Sequence, residues 1–161
     1  MLPVTLEFPC GLDNDMSENL SQIIDDEHSL EVASSILHDA VFSEDGIRFD
    51  PGTKTFTLSL WREVPEVKRT TRVFLVFRKT QYLRTACTLT LFNVESANIQ
   101  VRDTLRWYNL FGLEYHAESH TLRFETEGAI DITLHIGELA GGLVDTGQTT
   151  WEQFGYCTVS F

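Results

Sequence analysis

Between Gly46 and Thr146 the apolar residues recur at every second position, and this period most constrains the fold. Phe56, Leu58 and Leu60 alternate with Thr55, Thr57 and Ser59; Cys87, Leu89 and Leu91 alternate with threonines; Ile130, Ile132, Leu134 and Ile136 form the longest regular run. A repeat of two is that of a pleated strand with one face toward a core. Turn-forming residues punctuate these runs at Pro51-Gly52, at Ala117-Glu118-Ser119 and at Glu127-Gly128. Strands joined by such short links, with no helical pattern between them, pair antiparallel, because a parallel pair needs a long crossover.

Only one segment has helical spacing. Ser29 is placed to cap it, Glu31 lies in the first turn where the dipole favours an acid, and Ala33, Ile36, Leu37 and Ala40 recur along one face. The expected fold is therefore α+β and mainly antiparallel β: a curved sheet, a sandwich or a partly open barrel, with one N-terminal helix over residues 29–40. The chain of 161 residues reads as a single domain. Residues 1–28 are expected to be irregular apart from an extended Val4–Phe8, and residues 46–146 form the β body. Within that body a hairpin joins Ile47–Asp50 to Thr55–Trp61, and a polar loop containing Pro65 follows. Arg72–Phe77, apolar from Val73 onward, reads as a strand covered on both faces. Gly112 marks a bend in a Trp107–His116 strand, and Gly141-Gly142 a break before a last short strand, Leu143–Thr146. The tail 148–161 keeps Trp151, Phe154, Tyr156, Val159 and Phe161, too apolar to stand free in water, and is expected to dock on the domain or on a partner.

The net charge is −12 and unevenly spread. Residues 1–50 hold twelve acids against Arg48 alone, whereas residues 51–94 hold two acids against eight bases. A net acidic surface repels nucleic acid and anionic membrane, so neither is an expected partner. Arg62, Lys68, Arg69, Arg72, Arg78, Lys79 and Arg84 would form a basic patch only if they converged; pairing with the acidic N-terminal region inside the fold is the preferred expectation. Cys10, Cys87 and Cys157 are scattered and odd in number, which excludes a zinc ribbon or a CxxC redox pair and suits free thiols in a reducing cytoplasm. The first residues lack a basic start and a long apolar run, so no signal peptide is expected, and no stretch reaches membrane-span length.

Motifs of chemistry are sparse. There is no GxxxxGK[ST], GxGxxG or GxSxG, and no cysteine lies near a histidine in sequence. Glu114, His116 and His120 could meet around a metal if the turn after His116 were tight, with His135 as a fourth ligand; a water-exposed hairpin end is the preferred reading, and no cofactor is expected. Asp25, Asp26, Glu27, Glu44 and Asp45 lack the alternating ligand spacing of a calcium loop and read as a solvated acidic face. Trp107, Tyr108 and Phe111 are the aromatics that would line a pocket in a ligand-binding or enzymatic β-barrel. His38-Asp39 closes the helix as a structural junction.

The order Leu37-His38-Asp39-Ala40, Gly46–Asp50 and Thr55–Arg62, with Asn109-Leu110-Phe111-Gly112-Leu113-Glu114-Tyr115 and Leu122–Glu125 later, resembles small uncharacterised bacterial β-rich families with a His-Asp-Ala turn, among them predicted immunity proteins. The resemblance follows residues 29–146 and implies a compact β-rich fold and a non-enzymatic role. Together with the charge it gives the functional expectation: a non-enzymatic binding protein, immunity-like, whose acidic surface docks a basic partner through Asp25, Asp26, Glu27, Glu44 and Asp45. The alternatives are the barrel-type ligand binder or enzyme, and a subunit that self-associates through its aromatic tail.

Overall fold

A computed structural model describes residues 19–74 and 77–151. The chain runs β1 (Ser21–Ile24), α1 (Glu27–Ile36), β2 (Ala40–Asp50), β3 (Thr55–Phe74), β4 (Phe77–Leu91), β5 (Val94–Val101), β6 (Tyr108–His116), β7 (Thr121–Thr126), β8 (Ile130–Ile136) and β9 (Gly141–Thr150). All nine strands join one antiparallel sheet in the order β1-β9-β4-β3-β2-β6-β7-β8-β5. The fold is α+β, a curved sheet that does not close into a barrel, with a single helix among the described residues.

The curvature follows from β2. Its register with β3 shifts between Phe42 and Ile47, and it pairs with β6 only through Ala40, Val41 and Phe42. Gly46 sits in the shifted stretch because a Cβ there would lie 2.6 Å from the Ser59 carbonyl oxygen. Phe56 on β3 and Phe124 on β7 are three strand spacings apart along the ladder, roughly 14 Å in a flat sheet. Their ring centroids are nevertheless 5.5 Å apart, so the sheet folds over at β2 and its two halves share one core. The amide of Val94 at the start of β5 donates to the Lys54 carbonyl in the β2–β3 turn at 2.9 Å, which brings the far edge back toward the first hairpin.

The alternating residues do what their period predicts. Phe56, Leu58, Leu60, Cys87, Leu89, Leu91, Ile130, Ile132, Leu134 and Ile136 are all buried. The helix adds Leu30, Ala33 and Leu37, and Ser34 Oγ accepts a hydrogen bond from the Leu113 amide at 2.8 Å, which ties α1 to β6.

Several expectations are corrected. The helix begins two residues before Ser29, capped by Asp26, whose carboxylate accepts from the Ser29 amide at 2.7 Å. Ser29 is the reciprocal member of the capping box, its hydroxyl accepting from the Asp26 amide at 3.0 Å. Ala40, expected in the helix, already belongs to β2, because Asp39 takes a positive φ of 64° and turns the chain. Residues 21–24, expected to be irregular, form the edge strand β1. Arg72–Phe77 is not one covered strand: Arg72 and Phe74 end β3, Phe77 and Arg78 begin β4, and Arg72 and Arg78 are exposed. Gly141-Gly142 starts β9 instead of breaking it; a Cβ on Gly141 would lie 2.2 Å from the Thr90 carbonyl oxygen, so only glycine lets β9 approach β4 there. The Val4–Phe8 segment, Cys10, Cys157 and most of the aromatic tail lie outside the described residues.

Candidate functional site

Beyond the body, β3 and β4 continue as a pair on their own. β3 pairs with β2 no further than Trp61, and β4 pairs with β9 only from Arg84 on, yet β3 and β4 remain paired out to Phe74 and Phe77. Residues 64–74 and 77–82 therefore form a two-stranded ribbon that no further strand joins among the described residues. The register sets Lys68 opposite Tyr82, Arg69 opposite Gln81, Thr71 opposite Lys79 and Arg72 opposite Arg78. Opposed residues share a face, so Arg72 and Arg78 are like charges side by side, an arrangement that weakens a strand pair unless an anion lies between them.

At the ribbon's base the bases are spent within the fold. Arg62 donates to both Asp145 oxygens, at 2.9 and 2.7 Å, with side chains 13% and 4% exposed. Asp145 also accepts from the Leu20 amide at 3.0 Å. These hydrogen bonds hold the Arg62 guanidinium above its usual pKa. Arg84 donates to Glu63 at 2.7 Å and to the Asp39 carbonyl at 3.2 Å, while burial pulls its pKa down. Further out, Arg69 lies 4.6 Å from the Trp151 ring and donates to Gln81 at 2.9 Å. Lys68, Arg72, Arg78 and Lys79 make no ion pair among the described residues. Of the expected pairing with the N-terminal acids, the described residues include Arg84 at the Asp39 main chain, while Glu7, Asp13, Asp15 and Glu18 lie outside them.

The charge consequently divides by structure. The ribbon carries Glu66 against five bases, net +4, and the rest of the chain carries 23 acids against 7 bases, net −16. Four of those seven, Lys54, Arg62, Arg84 and Arg102, are already in ion pairs with acids. The five acids singled out from sequence are all exposed and sit on two elements. Asp25, Asp26 and Glu27 are at the start of α1; Glu44 and Asp45 lie in the shifted stretch of β2. Capping occupies Asp26, and backbone and side-chain hydrogen bonds from Ser29 hold its carboxyl below the usual range. Glu44 accepts from the Tyr108 hydroxyl at 2.8 Å.

Glu114 and His116 approach to 3.5 Å, and His120 takes a left-handed conformation with φ 50°. The register places Thr121 between His116 on β6 and His135 on β8. Two strand spacings, roughly 10 Å, then separate those backbones. No three His, Cys, Asp or Glu side chains assemble around a common point among the described residues.

Trp107, Tyr108 and Phe111 do not converge. Tyr108 is buried, stacked 5.6 Å from Phe42; Phe111 is 40% exposed beside His38; Trp107 lines a surface groove of about 330 Å³ with Cys87, Trp61 and Thr146. Burial pushes the Cys87 thiol up to about 12, so it is a packed thiol and not a nucleophile.

An open antiparallel sheet with one covering helix, an acid-rich body and a basic arm defines an α+β scaffold whose visible specialisation is the partition of its charge. The chain belongs to the family described as "Protein of unknown function (DUF2948)", which matches it over residues 20–154. Comparison with curated proteins and with solved structures finds no match. No helix among the described residues is long and apolar enough to cross a membrane.

Proposed function

We propose that this protein is a non-enzymatic binding protein whose acidic body docks a basic protein partner. The observation that carries this reading is the segregation of charge. With the bases of the centre that make no ion pair among the described residues drawn out onto the ribbon, the described body holds 18 acids against 7 bases, net −11. A field of one sign over a rigid sheet speeds encounter with an opposite surface and rejects wrong partners. Asp26 caps the helix, Glu44 accepts from the Tyr108 hydroxyl and Asp25 accepts from the Ser29 hydroxyl at 3.2 Å, and all three keep exposed carboxylates beside Glu27 and Asp45. The immunity-like form of this reading, in which docking occludes a toxin's working surface, is supported by the resemblance of residues 29–146 to predicted immunity proteins.

Affinity capture from native lysate, at low and at physiological salt, tests it with the wild type against Asp25→Asn/Glu27→Gln/Asp45→Asn. A basic protein recovered by the wild type and lost by the variant is the expected result. Identical capture by both refutes the acidic-face reading.

The ribbon supports a second contact of opposite sign. Lys68, Arg72 and Arg78 share one face of it, and the opposed Arg72 and Arg78 present two guanidinium forks to an anion. Arg72→Glu/Arg78→Glu is expected to abolish a salt-sensitive interaction with an acidic protein surface while leaving the fold's thermal transition unchanged. Survival of every interaction in that variant refutes it.

A further inference from the structure

We infer that β5 is a dimerisation edge, pairing antiparallel with β5 of a second copy across a two-fold axis. The inference is independent of the acidic-face reading. An edge strand offers a row of unsatisfied amides and carbonyls, and proteins blunt such edges by shortness, charge, proline or bulges. The opposite edge of this sheet and its ribbon are blunted in these ways. β1 is only four residues long, and the flanks of the ribbon carry Pro65, Lys68, Arg69, Arg72, Arg78 and Lys79. β5 is eight residues long, and from Ser96 to Val101 it holds no charge and no proline. Its one irregularity, between Val94 and Ser96, lies before that stretch. Among the described residues no strand pairs with its outer flank.

The side chains point the same way. Ala97, Ile99 and Val101 lie opposite Leu134, Ile132 and Ile130 of β8, all three buried, so they belong to the core face of the sheet. Yet Ile99 is 38% and Val101 42% exposed, and Leu105 just beyond is 38% exposed. The core face thus ends in an apolar lip that nothing described covers.

A second copy is the occupant that fits. A two-fold axis normal to the sheet, passing at Ile99, sets Ile99 against its own counterpart and Ala97 against the second copy's Val101, small opposite large on both sides. On the other face Asn98 then meets Gln100 and Gln100 meets Asn98, amides that donate and accept. Pairing over 97–101 would add about four to six main-chain hydrogen bonds. Copies with net −12 repel one another generally, and an uncharged edge is where they can approach.

Sedimentation velocity of the full chain over a wide concentration range, at low and high salt, tests this. The expected result is a monomer–dimer equilibrium that strengthens with salt, because screening weakens the repulsion between acidic bodies. Ile99→Lys should weaken it by at least about tenfold by setting like charges directly opposite. Ile99→Cys, in a Cys10→Ser/Cys157→Ser background, should give a covalent dimer on oxidation, because opposed residues place their Cβ atoms within about 4.5–5.5 Å. A monomer at all concentrations overturns the inference. So does a dimer untouched by Ile99→Lys, or one abolished by Arg72→Glu/Arg78→Glu, which would place the interface on the ribbon.

Discussion

Replacing Arg62 by Met should cost more stability than replacing its partner Asp145 by Leu, and doing both should cost less than either. Asp145 is 4% exposed and surrounded by the Arg62 guanidinium and the Leu20 amide. With Arg62 gone, a buried carboxylate keeps one donor, and breaking a buried pair in this way costs about 3–5 kcal/mol. Arg62 is 13% exposed on a long side chain and also reaches the Glu63 carbonyl at 3.4 Å, so without Asp145 its charge has a path to water. That loss should be about 2–3 kcal/mol, including the orphaned Leu20 amide. With both replaced, no charge is buried, and the double variant should return to within about 1–2 kcal/mol of wild type. Urea unfolding followed by circular dichroism reads this directly. At a slope of about 2 kcal/mol per molar, Arg62→Met lowers the midpoint by roughly 1.5–2.5 M. The reasoning is refuted if either single change costs under about 1 kcal/mol, or if the two losses simply add.

Gly141→Ala should destabilise by about 1–3 kcal/mol or more, because the new methyl would meet the Thr90 carbonyl and Leu91 at the β4–β9 pairing; thermal unfolding checks it, and an unchanged transition contradicts the described register. In a Cys10→Ser/Cys157→Ser background, Cys87 should resist alkylation at mildly alkaline pH and react only with denaturant present. Its thiol keeps its proton in the fold until pH about 12 but loses it near 9 when unfolded, so this group's contribution to stability is intact below pH 9 and declines as pH rises from there. The Asp26 and Asp50 carboxyls, depressed by hydrogen bonds from Ser29 and from Gly52 and Thr53, act in the opposite direction: their contribution is present above the ordinary carboxylate range and disappears as pH falls through their lowered values. Asp26→Ala should therefore lower the thermal midpoint at neutral pH and leave it nearly unchanged in strong acid.

The β body was legible because burial has the same period as the strand. Every second residue from Phe56 to Leu60 and from Ile130 to Ile136 faces the core, and no other regular structure keeps that spacing. Boundaries were less legible where two residues suit one role: Asp26 and Ser29 are both good caps, and their reciprocal bonds decide the matter only in three dimensions. The run Arg72–Phe77 misled for a different reason, since its composition does not mark that β3 ends at Phe74 and β4 begins at Phe77. The candidate interfaces were scarcely legible at all. Whether Arg72 and Arg78 meet an acid or each other depends on the β3–β4 register, and whether Ile99 lies inside or at the rim depends on β5 being last in the sheet. Neither fact is local in sequence.

Among the described residues the strand ladder passes from one half of the sheet into the other only through Ala40, Val41 and Phe42. So short a seam leaves much of the angle between the halves to side chains, the Phe42–Tyr108 contact at the seam and the Phe56–Phe124 contact across it, alongside the bond from Val94 to the Lys54 carbonyl. Related chains could open or close that angle by changing the bulk of four aromatic positions, without lengthening, shortening or re-pairing a single strand.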